Sequence, residues 1–158
     1  MRRWAISRIS ARTASRDPAR HVSERTPALE TGNASDAGAE SRGWFVGDLA
    51  EWAASRGERL DPSSTPRQSH DVQVKWFVHP PGHVRPAWAE PDLHYSLGVL
   101  VDGDMHFGFR DLAGAEQSVA LTRRGDYVIW HGPSFAHTWR SEGGCTFLTV
   151  RWPVRAGD

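Results

Sequence analysis

The feature that most constrains this chain is a series of short apolar runs about ten residues apart, each closed by turn-forming residues. They lie near 72–79, 84–89, 93–101, 104–110, 116–121, 126–131, 136–140 and 145–152. Pro80-Pro81-Gly82, Asp102-Gly103-Asp104, Arg124-Gly125-Asp126 and Glu142-Gly143-Gly144 separate several of them. Runs of strand length, with no long helix between them, predict an all-β antiparallel sandwich or barrel. Upstream, Trp44–Val46 reads as a short strand. Asp48 is placed to N-cap one amphipathic helix over Leu49–Ser55 that ends near Gly57. A Pro/Ser-rich loop then covers 60–70, and neither a solenoid repeat nor a glycine-rich phosphate loop is present.

The chain divides into two unlike pieces. Residues 1–42 carry eight arginines against five acids and are otherwise rich in Ser, Ala, Thr and Gly, without a sustained apolar period. Such a segment buries too little to offset its ordering entropy, so a disordered, dispensable arm is expected. An Arg- and Ser-rich targeting peptide is the functional alternative, weakened by the five acids and by the lack of an apolar stretch. Residues 43–158 form the barrel domain.

Charge and cysteine content narrow the function classes. Nineteen basic and nineteen acidic side chains cancel, so whole-chain charge makes no case for a nucleic-acid partner. No apolar run approaches the roughly 18–20 residues of a membrane-spanning helix, so no membrane partner and a cytoplasmic location are expected. Cys145, the single cysteine, excludes an internal disulfide and a multi-cysteine metal site; at the head of a core strand it reads as buried and inert.

Two segments carry a family resemblance: Val99-Leu100-Val101-Asp102-Gly103-Asp104, and Gly125-Asp126-Tyr127-Val128-Ile129 followed by His137. With the Pro-Gly turn before them, they resemble the cupin superfamily over about residues 70–152. Arg42–Gly47, Val74-Lys75-Trp76 and Thr149–Pro153 are also similar to a little-characterised group of actinobacterial single-domain cupins. The resemblance implies a single jelly-roll barrel with an internal pocket, preceded here by the short helix and the arm. The family's metal motifs are eroded. Ser96 stands in the Glu slot, Glu90 and Asp92 stand in the His-x-His slots, and Ser141 stands in the Asn slot. His137 alone keeps its residue type.

Strand parity leaves a variant site open. Asp92, His94 and Ser96 share one face of their strand, and Glu90 joins them if the strand continues through Pro91. If that face lines the barrel, Glu90, Asp92, His94 and His137 offer two carboxylates and two imidazoles to one divalent Fe, Mn, Ni or Zn ion. If it meets solvent, no such site forms. His137 and His131 flank a Gly-Pro turn, and either could serve as acid or base at one barrel mouth. His94, Ser96, Lys75, Trp130 and Trp139 are the remaining pocket candidates. Lys75 shares its face with Phe77 and His79. Facing inward it would bind a carboxylate or form a Schiff base; facing outward it would be an ordinary surface lysine. The expected function is a small-molecule-binding cupin-type protein with a sensor or accessory role. A metal-dependent oxygenase, isomerase or lyase acting on a small organic acid is the alternative. An apolar strand face with several tryptophans predicts a homodimer.

Overall fold

Residues 29–155 are described by a computed structural model of the chain. Among them, nine strands fall close to the expected runs: β1 Trp44–Val46, β2 Gln73–His79, β3 Val84–Ala89, β4 His94–Gly103, β5 Met105–Asp111, β6 Glu116–Leu121, β7 Tyr127–His131, β8 Phe135–Arg140 and β9 Cys145–Pro153. They pair into a five-stranded sheet, β1-β2-β9-β4-β7, and a four-stranded sheet, β3-β8-β5-β6. The described strand pairs are antiparallel. This is a jelly roll, as the short punctuated runs require.

Period-two alternation sorts the side chains of both sheets. Leu100, Phe147, Trp130 and Cys145 from the first sheet meet Met105, Phe107, Phe109 and Leu121 from the second, forming the core between the layers. Each such burial stabilises the fold by roughly 1.5–3 kcal/mol before entropy is charged against it. Gly98 must lack a side chain because the Phe147 ring occupies the space its Cβ would need. Cys145 is buried among these residues, as expected, and burial pushes its thiol pKa up.

Two features differ from the sequence reading. Helix α2, Leu49–Ala54, forms where expected, yet the Asp48 carboxylate does not cap it. The Gln68 side chain accepts from the Ala50 N–H at 2.9 Å instead, and Asp48 accepts from Gln68 Nε2 at 3.0 Å and contacts the His70 ring at 2.9 Å. The second difference lies in the arm. Residues 1–28 fall outside the described residues, but 29–42 are held against the barrel. Helix α1, Ala34–Ala37, is capped by Asn33 and followed by a 3-10 turn over Ala39–Ser41. Arg67 pairs with Glu30 at 2.6 Å and reaches the Ala37 and Phe45 carbonyls. Arg56 donates to the Glu40 carbonyl. Backbone contacts of this kind are invisible to composition.

Candidate functional site

The inner face of the five-stranded sheet decides what the barrel can bind. On β4, Ser96 and Leu100 are fully buried, so the face shared by Asp92, His94 and Ser96 points into the barrel. On β2 the inward residues are Lys75, Phe77 and His79; on β9 they are Cys145, Phe147, Thr149 and Arg151. Lys75 lies opposite Thr149, and Ser96 lies opposite Arg151.

These side chains close on a cavity of about 90 Å³. Its walls are aromatic: Trp44, Phe77, Phe107, Trp130, Trp139 and Phe147. Its polar lining is Lys75, Arg85 and Arg151, the imidazoles of His79 and His137, and the Thr149 hydroxyl. No carboxylate lines it among the described residues. Lys75 Nζ lies 4.9 Å from the Phe77 ring centre and 5.7 Å from that of Trp44, over which Arg151 Cζ also sits at 5.0 Å.

The electrostatics follow from this crowding of positive charge in a partly buried site. Burial, together with Arg151, Arg85 and Arg42, brings the Lys75 pKa down to about 8. Burial also brings His137 down to about 4, with Arg151 and Arg85 adding to the effect and Asp92 opposing it. His79 reaches about 4 as well, through burial and the neighbouring His83 and Lys75. Both imidazoles are therefore neutral at pH 7. His79 Nδ1 meets His83 Nδ1 at 3.0 Å, and the two rings pack edge-on against Trp139 at 4.5 and 4.9 Å.

Asp92 stands beside this cluster. It forms an ion pair with Arg151 at 3.4 Å, accepts from the His94 backbone N–H at 3.0 Å, and lies 3.4 Å from His94 Nδ1 without hydrogen-bond alignment. His94 Nδ1, Ser96 Oγ and Arg151 Nε are buried without a protein hydrogen-bond partner. Three orphaned polar atoms on adjacent strands are unusual, because buried polar groups are costly unless satisfied.

The expected residues are thus only partly brought together. Lys75, Trp130, Trp139 and His137 line the cavity; His94 and Ser96 face inward but lie outside its walls. The four expected metal ligands do not converge. Glu90 is exposed, Asp92 is engaged by Arg151, and no group of three or more His, Cys, Asp or Glu forms a metal-binding arrangement among the described residues. Guanidinium groups near enough to His137 to lower its pKa also disfavour a dication beside that ring. The shared barrel mouth for His131 and His137 is also corrected. His131 pairs opposite Tyr95 on the outer face, its Nδ1 2.6 Å from Ser134 Oγ, while His137 lies inside the barrel against Trp130.

Sequence reasoning missed Arg85, Arg151, His79 and Trp44. For Arg151 and His79 a signal existed, since each shares strand parity with a core phenylalanine, Phe147 or Phe77. Larger clefts of about 340 and 400 Å³ lie outside the barrel, one against residues 30–37 and one on the outer face of the four-stranded sheet. Neither gathers three cationic side chains against an aromatic wall.

No protein-family model matches the sequence, and no curated protein matches it. Solved structures similar to it include a Lactobacillus farciminis oxalate decarboxylase formate complex, at 20% identity and a TM-score of 0.47 over 54% of this chain and 24% of that one. A cupin superfamily protein from Desulfitobacterium hafniense gives 20% identity and a TM-score of 0.46 over 55% and 72%. A domain of Drosophila melanogaster CENP-C gives 12% and 0.44 over 49% and 56%. The chain spans about a quarter of the length of the oxalate decarboxylase. By its own strand order and its two facing antiparallel sheets with a cavity between them, the chain is a jelly roll.

Proposed function

We propose that the barrel cavity binds a small organic anion, a carboxylate of a few heavy atoms, and that the protein serves as a small-molecule sensor or accessory protein. One observation carries this reading: Lys75, half-buried, lines the cavity together with Arg151 and Arg85 and has no carboxylate partner among the described residues. A buried ammonium is costly unless an anion neutralises it. The orphaned Arg151 Nε supplies a second donor, and the aromatic walls suit the carbon skeleton. The cavity is about three waters in liquid volume, which limits the ligand to a small acid. Calorimetry with propionate against its neutral isostere propionamide tests the reading. Propionate is expected to bind and propionamide is not; equal affinity, or no binding of any small carboxylate, overturns it.

A metal-dependent enzyme is the competing reading, supported by a single observation, the unpartnered Nδ1 of His94 beside Asp92. Near-stoichiometric Fe, Mn, Ni or Zn in untagged protein would favour it.

We propose further that the molecule is a homodimer joined through the outer face of the five-stranded sheet. Val78, Tyr127 and Ile129 on that face are 57%, 64% and 52% exposed, beside the apolar Trp76, Leu97, Val99, Leu148 and Val150. A continuous apolar sheet face of this kind marks an association surface, and a two-fold axis lets the same patch cover itself.

A further inference from the structure

We propose that Lys75 is an imine-forming amine, whose Nζ condenses with the carbonyl of a small oxo acid while Arg151 and Arg85 hold the acid's carboxylate. This rests on the anion-binding reading and gives the ligand a second functional group.

Three observations lead there. Lys75 is the only lysine in a chain whose other eighteen basic residues are arginine. A second guanidinium at this position would serve an anion equally well, but it cannot add to a carbonyl. Lys75 is also inside, its Nζ held against the Phe77 and Trp44 rings and unpaired with any carboxylate among the described residues. Finally, Arg151 Cζ lies 5.0 Å from the centre of the same Trp44 ring, and the two side chains line one cavity, which puts a carboxylate-binding group and a nucleophile on a shared chamber. Burial among cations keeps a fraction of the amine unprotonated at neutral pH, the state a nucleophile requires.

The chemistry balances without a co-reactant. The Nζ lone pair attacks the carbonyl carbon and gives a carbinolamine. The two amine hydrogens then leave with the carbonyl oxygen as water, and a C=N bond replaces C=O. His79 and His137 line the same cavity as neutral imidazoles able to relay those protons.

The test uses the full chain, pyruvate as the probe and sodium cyanoborohydride as the trap, with peptide mass spectrometry to locate the product. The expected result is one reduced adduct per chain on Lys75, formed faster than on the α-amino group, suppressed by propionate and lost in Lys75→Arg. Acetone, which has the carbonyl but not the carboxylate, should label Lys75 about tenfold less, the worth of one charge-assisted hydrogen bond. An adduct confined to the α-amino group, while propionate still binds, overturns the inference and leaves the anion site standing. Failure of both propionate binding and labelling overturns both. Equal labelling by acetone and pyruvate removes the carboxylate requirement and overturns the oxo-acid assignment.

Discussion

Lys75 shows what it costs to keep a charge inside a barrel. Its pKa falls from 10.5 to about 8, so between these values the unfolded chain binds the proton and the folded one does not. Stability should therefore rise with pH across about 8 to 10.5. Lys75→Met should abolish that rise and stabilise the protein by about 2 kcal/mol at pH 7, while abolishing propionate binding; thermal unfolding read beside calorimetry checks both. His79 and His137 give a slope of the same sign at lower pH. Each is held neutral with a folded pKa of about 4 against 6.5 unfolded, so their stabilisation is complete above 6.5 and lost as pH falls towards 4. Each contributes a slope of about 1.4 kcal/mol per pH unit inside that window. Denaturant titrations from pH 7 to 4.5 should show it, and His79→Phe should remove one share, since a phenyl ring can keep the packing on Trp139.

At the scale of elements, the turns at one end of the barrel are fastened to each other by a single carboxylate. Asp104, beside the tight Gly103 turn, accepts from the Glu142 and Gly143 backbone N–H groups at 2.8 and 2.7 Å. It thereby joins the β4–β5 turn to the β8–β9 turn, and these bonds hold its pKa below the usual carboxylate value. Asp104→Ala should cost about 2 kcal/mol in chemical denaturation, and Asp104→Asn less, because the amide oxygen still accepts one bond. The strands between such turns were legible because alternation and Gly-rich punctuation are local signals. Even the buried face of β4 could be drawn from Asp92, His94 and Ser96, although parity alone did not say which face was buried. The helix cap was not legible, since Gln68 reaches α2 from eighteen positions beyond Ala50. Nor was the cavity's charge. An arginine within a strand ordinarily snorkels to solvent, and only the pairing of β2 with β9 turns Arg151 towards Lys75.

For the whole molecule, the exposed apolar outer face of the five-stranded sheet is the basis of the proposed dimer. A dimer is expected in sedimentation at micromolar concentration, and Val78→Glu with Ile129→Glu should yield a folded monomer, because both side chains are exposed and leave the core untouched. A wild-type monomer would refute the interface. Strands β2, β9 and β4 each send alternate residues to opposite sides: Lys75 and Phe77 inward against Trp76 and Val78 outward, Phe147 and Arg151 against Leu148 and Val150. The wall between the chamber and the outer face is thus one backbone thick. A shift of strand twist that tightens the chamber around its occupant must move the contact surface behind it, with no intervening layer to absorb the strain. Any effect of occupancy on self-association has to be matched by an equal effect of protein concentration on occupancy. Dilution would then serve as an effector of this barrel in its own right.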